Sequence, residues 1–106
     1  MKAFNNIYFE HLRALARPAG SPERSVLAIA GNDASAKQTV TQFLDSIGYD
    51  AYDVGPLAEG WRYQRDTAAY AAIYVRPGDE WPGPGQPAAA EVLRGNLAEA
   101  KRYRDM

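Results

Sequence analysis

The sequence predicts an α/β fold organised around one parallel strand–helix–strand unit, and three observations predict it. Ser25-Val26-Leu27-Ala28-Ile29-Ala30 is a short apolar run of the kind that forms a strand covered on both faces. Ala36, Val40, Phe43, Leu44 and Ile47 follow at helical offsets, which place them on one face of a helix. Ala51-Tyr52-Asp53-Val54 then supplies a second strand. A strand, a helix and a strand within so short a stretch make a right-handed parallel crossover.

Taken in order, Met1 to Phe4 is a short apolar-leaning start interrupted by Lys2. Ile7, Phe9, Leu12, Leu15 and Ala16 are spaced for a short helix between residues 7 and 16. Arg17-Pro18-Ala19-Gly20-Ser21-Pro22 is a loop. Strand 25–30 is broken by Gly31-Asn32-Asp33, where Asp33 caps the following helix. Gly48 stands where a helix ends in a left-handed residue. Gly55-Pro56 stops the second strand, and Leu57-Ala58-Glu59 is expected to open a helix, with Pro56 near its first turn. The alanines of residues 60–75 favour helix, with Asp66-Thr67 as a cap. On such a helix Tyr63, Tyr70 and Tyr74 would share one face. Residues 76–86 hold Pro77, Gly78, Pro82, Gly83, Pro84 and Gly85, an irregular connector. Trp81, in its middle, is expected to dock on this chain or on a partner. Pro87 opens a last helix reaching about Arg104, with an apolar stripe of Val92, Leu93, Leu97 and Ala100. Lys101, Arg102 and Arg104 stand at its cation-favouring end. The domain plan is therefore an α/β unit over 1–75, a connector over 76–86 and a C-terminal helix over 87–106.

With 106 residues the chain is one domain that buries roughly two thirds of its unfolded surface. A hydrophobic fraction of 46% and a charged fraction of 24% are those of an ordinary globular protein. The net charge of -1 provides no field to recruit nucleic acid or an anionic membrane. No apolar run approaches the ~20 residues that span a bilayer, and no apolar segment follows Lys2 to make a signal peptide. The absence of cysteine excludes disulfides and thiolate chemistry and fits a cytoplasmic protein. A single histidine excludes a multi-histidine metal site within one chain.

Open parallel sheets bind ligands beyond the C-terminal ends of their strands. That rule selects three turns, Asn5-Asn6, Gly31-Asn32-Asp33 and Gly55-Pro56-Leu57. The second offers helix N-terminal amides, an anion-friendly arrangement, although Asp33 would repel a phosphate there. His11 has no serine or cysteine nucleophile with a local motif to pair with and reads as a surface or half-buried residue. Trp61, Arg62 and Tyr63 could stack on a planar ring, but aromatics at helical spacing more often form core or subunit interface. G-x-G-x-x-G, Walker, H-E-x-x-H and G-x-S-x-G motifs are all absent.

Lys2-Ala3-Phe4-Asn5, Ala30-Gly31-Asn32-Asp33 with Ala36-Lys37, and Asp53-Val54-Gly55-Pro56-Leu57 occur in that order over about residues 2 to 70. Together they resemble the second half of the NADP oxidoreductase, coenzyme F420-dependent family. The resemblance implies a partial Rossmann-like three-layer unit with a short parallel sheet. It also implies NADP(H) as cofactor, with hydride transfer to a flavin or to coenzyme F420. Carried over residue by residue, the cofactor-binding positions would be Phe4, Asn5, Gly55, Pro56 and Leu57. The family's first half, with the glycine-rich pyrophosphate turn, precedes its K-A-F-N segment, so this chain resembles half an enzyme that is not active alone. A short sheet with an uncovered edge needs a partner. The expected one is a second copy, or a complementary N-terminal-half polypeptide, with Trp61, Tyr63, Trp81 and the last helix as interface. The competing reading is a non-catalytic homodimerising module or a truncated remnant without cofactor binding; under either reading no nucleic acid and no membrane is expected as partner.

Overall fold

The computed structural model describes residues 1–18, 20–21, 23–64, 67–76, 78–81 and 83–101. Of the features read from the sequence, Ala19 and Pro22 of the first loop, Asp66 of the second cap, Pro77 and Pro82 of the connector, and Arg102 and Arg104 lie outside these. The architecture is α/β. Helix α1 (Phe9–Ala14) precedes strand β1 (Val26–Ala30), helix α2 (Ala34–Ile47) and strand β2 (Asp50–Gly55). Two 3-10 turns, Leu57–Tyr63 and Ala72–Tyr74, lead to the C-terminal helix α3 (Ala90–Ala98).

The central crossover follows from its sequence signals. β1 and β2 pair in parallel, Val26 opposite Asp50 through Ile29 opposite Asp53, and a register shift then sets Ala30 opposite Gly55. All five residues of β1 are buried, which explains its unbroken apolar run. The Asp33 carboxylate accepts from the amides of Ser35 and Ala36, capping α2. Gly48 ends α2 with φ +106°, a left-handed conformation that an L side chain rarely adopts. Leu44 is the fully buried residue of α2, whereas Phe43 is exposed and meets the ring of Phe4. Asp53 reaches Lys37 of α2, while Tyr52 and Val54 share a cleft with Arg94, Leu97 and Ala98 of α3. Successive side chains of a strand point to opposite faces, so α2 and α3 cover opposite faces of the sheet.

The N-terminal start joins the sheet only through a single antiparallel bridge. Lys2 and Ala30 exchange both backbone hydrogen bonds, at 2.8 and 3.0 Å. Phe4 then turns with φ +65° and takes the chain off the sheet. The far edge of β1 is covered further by Ala88, whose carbonyl accepts from Val26, and by the Tyr74 hydroxyl, which donates to the Val26 carbonyl.

The described residues between 60 and 75 form two short 3-10 segments rather than the expected helix. Tyr63 and Tyr74 are fully buried while Tyr70 is exposed, so the three do not share a face. The phenols of Tyr63 and Tyr74 donate to the carbonyls of Lys2 and Val26. Ala71 takes φ +57° to give its amide to the Asn6 carbonyl. Tertiary hydrogen bonds override the helix propensity of the alanines here. The last helix also starts later than expected, because Ala88 serves the sheet: its amide donates to Ser25 Oγ and its carbonyl receives Val26. Leu93 and Leu97 are buried along α3, but Val92 faces outward. Trp81 docks on this chain, against Tyr8 and His11. His11 is buried rather than superficial, with Nε2 3.2 Å from the Gly83 carbonyl oxygen. Among the described residues, no helix is long and apolar enough to cross a membrane.

Candidate functional site

At the C-terminal ends of the strands two of the three selected turns meet. The Gly31 amide donates to the Gly55 carbonyl at 3.0 Å, and Asn32 Oδ1 accepts from the Leu57 amide at 3.0 Å. Gly55 adopts φ +125°, so the turn depends on glycine there. Pro56 and Leu57 are exposed beside it.

Phe4 and Asn5 are not brought to this place. Phe4 lies against Phe43, ten residues beyond the Asp33 cap and about 15 Å along α2. Asn6, which follows them, reaches Tyr74 and through it Val26, at the other end of β1. Lys2 occupies the strand-end position instead. Its Nζ donates to the Gly60 carbonyl at 2.7 Å and sits 4.6 Å from the Tyr63 ring centroid. Burial pushes its ammonium pKa down.

The polar groups at these strand ends are satisfied within the chain. Two of the free amides of α2 go to Asp33. Lys37 pairs with Asp53 at 3.0 Å, and Asp53 Oδ1 also accepts from the Gly55 amide. A pyrophosphate would have to displace one carboxylate and face another, so these turns do not fit a phosphate, the group that the resemblance assigns to the family's first half. Among the described residues, no group of three or more His, Cys, Asp or Glu could hold a metal ion.

Among the described residues, unpaired backbone instead lies along the outside of β2. The Asp50 amide donates to the Ser25 carbonyl, so by the period of two Asp50, Tyr52 and Val54 face β1. Ala51 and Asp53 direct their N–H and C=O groups outward, on the edge of a two-stranded sheet. Clefts flank this edge on both faces. One of about 420 Å³ lies between Tyr49-Asp50-Ala51 and Thr41, Gln42 and Asp45 of α2. The other, of about 240 Å³, lies between Tyr52-Asp53-Val54 and Arg62, Arg94, Leu97 and Ala98. Arg62 rests on the Trp61 ring at 4.5 Å and lies 3.7 Å from Glu59. Of the expected interface residues, Tyr63 is inside the core, Trp61 is half-buried and Trp81 is exposed.

Sequence reasoning missed that Arg62 and Arg94 line one cleft, since 32 positions separate the two and no local motif joins them. It also missed Arg24, which is buried and holds the end of α2 to the start of β2. Its guanidinium donates to the carbonyls of Asp45 and Tyr49 at 2.8 and 2.9 Å and pairs with the Asp45 carboxylate. An arginine two residues before the start of a strand carries no such signal.

Over 53 residues the chain is 36% identical to the Escherichia coli (strain K12) protein YjhV, a match covering 50% of this chain and 39% of that protein. The chain thus spans well under half the length of this relative. No protein-family model matches the chain, and no solved structure does.

Proposed function

We propose that this chain is a non-catalytic assembly module, an α/β unit that covers its open sheet edge with a second copy of itself. One contrast carries the reading. The strand-end amides and Lys37 are already bonded to Asp33 and Asp53, whereas the outward groups of Ala51 and Asp53 face no strand among the described residues. An unpaired edge is a template for another strand. Light scattering at micromolar protein should give twice the chain mass, and millimolar NADPH should leave the melting temperature unchanged. A monomer at that concentration, or a saturable NADPH stabilisation, would overturn it.

A second reading, part of an NADP-dependent oxidoreductase completed by another polypeptide, draws on the clamp between the Gly31-Asn32 and Gly55-Leu57 turns, where open parallel sheets take ligands. It requires that adding a polypeptide with a glycine-rich phosphate turn produce NADPH oxidation with a flavin or deazaflavin acceptor.

A further inference from the structure

We propose that two copies join antiparallel through their β2 edges in a single register. Tyr52 of each lies on the two-fold axis, and Asp50 of each enters the Arg62–Arg94 cleft of the other. This rests on the assembly reading above and names its contact.

The register follows from which backbone groups remain available. A two-fold antiparallel pairing must match outward-facing residues with outward-facing residues. Centred on Ala51, it would set Asp53 against Tyr49, but the Tyr49 amide already donates to Leu44 and its carbonyl already accepts from Arg24. Centred on Asp53, it would set two carboxylates face to face and Ala51 against Gly55. The Gly55 amide and carbonyl are also taken, by Asp53 Oδ1 and the Gly31 amide. Centred on Tyr52, it sets Ala51 against Asp53 twice, and all four outward N–H groups and all four C=O groups find partners.

The side chains agree with that centre. Ala51 opposite Asp53 leaves the Asp53–Lys37 pair undisturbed, with no like charges opposed. Tyr52 faces its own copy as a non-hydrogen-bonded pair, the closer of the two antiparallel pair types. Asp50 falls opposite Val54, which lines the cleft holding Arg62 and Arg94. The Asp50 side chain is 59% exposed, and its contact with Arg24 is loose at 3.5 Å. Arg94 has no carboxylate partner among the described residues. The cation in the cleft and the carboxylate on the edge are thus complementary across the axis.

The full chain has no cysteine, which makes crosslinking a direct test. A non-hydrogen-bonded antiparallel pair has the Cα separation a disulfide needs. Tyr52→Cys should oxidise to a covalent dimer, while Ala51→Cys and Asp53→Cys should not, each variant being checked for an unchanged far-UV spectrum. Arg94→Glu, a change at an exposed position, should raise the dimer dissociation constant at least tenfold without changing the melting temperature of the diluted monomer. A dimer that crosslinks through position 51 or 53 or not through 52, or that ignores Arg94→Glu, would overturn the register and leave the assembly reading standing. A monomeric parent chain would overturn both.

Discussion

Asn6 and Tyr74 meet inside the core. The Asn6 side-chain amide donates to the Tyr74 hydroxyl at 3.2 Å, and that hydroxyl donates to the Val26 carbonyl at 2.7 Å. Three segments distant in sequence are joined by this chain of bonds: the N-terminal turn, the second 3-10 turn and the start of β1. Both residues are fully buried, so no water can replace a lost partner without opening the core. Tyr74→Phe keeps the ring and strands an amide proton and a carbonyl. The expected loss of unfolding free energy is about 1–3 kcal/mol, read as a lower urea midpoint at constant slope. Tyr63→Phe, whose hydroxyl serves the carbonyl of Lys2 near the surface, should lose less.

Asp33 holds the start of α2 by accepting from Ser35 and Ala36. Asp33→Ala should lower stability by about 1 kcal/mol, and Asp33→Ser should restore most of it, in thermal or urea unfolding. The Asp33→Ala protein should also gain measurable stabilisation from millimolar phosphate, because its freed amides face a helix N-terminus without a resident carboxylate. If the parent chain is stabilised by phosphate to the same degree, the carboxylate is not what closes that position.

The segment from Ser25 to Gly55 was legible in the sequence because its signals are local. The Asp33 cap, the Gly48 terminator and the Gly55 stop each act within a few residues of their own position. The chain after Pro56 was not, because it answers to distant partners. The alanines between positions 68 and 72 favour helix, yet two tyrosines around them must reach Lys2 and Val26. Ala88 leaves its helix to serve Ser25 and Val26. Of the predicted site, the Gly31 and Gly55 turns meet because parallel strands end together. Phe4 and Asn5 part from them because the Lys2 bridge runs antiparallel and carries the chain toward the other end of β1.

Gly48 and Gly95 should respond in opposite directions to alanine. At Gly48 the backbone is left-handed, and an added Cβ would lie 2.8 Å from both Ala16 Cβ and the Arg17 amide nitrogen. That amide donates to the Gly48 carbonyl, so the neighbour cannot withdraw without losing a hydrogen bond. Gly48→Ala should therefore destabilise by roughly 1–3 kcal/mol. At Gly95, inside α3, an added Cβ meets nothing within 4 Å. Gly95→Ala should stabilise by about 0.5–1 kcal/mol. Melting temperatures of the two variants moving in the same direction would contradict this assignment of backbone conformations.

Three buried phenols make the fold sensitive to alkali. Burial raises the pKa of Tyr49 to about 12, and raises those of Tyr63 and Tyr74 as well. In the unfolded chain each phenol titrates near the ordinary value of about 10. Below that pH both states are protonated, so the favourable burial of the neutral phenols contributes fully. Above it the unfolded state releases protons that the folded state retains, and stability falls as pH rises from about 10 through 12. The slope is about 1.4 kcal/mol per pH unit for each phenol that stays protonated in the fold. Urea unfolding between pH 9 and 11.5 should show this decline, with phenolate absorbance growing only as the protein unfolds. Tyr49→Phe removes one of the three titrations and should make the decline shallower by about 1.4 kcal/mol per pH unit. It also removes the hydroxyl that binds the Leu12 and His11 carbonyls, so its stability at neutral pH should be lower even as its alkaline slope improves. An unchanged slope would mean that the Tyr49 hydroxyl is accessible to hydroxide in the native state.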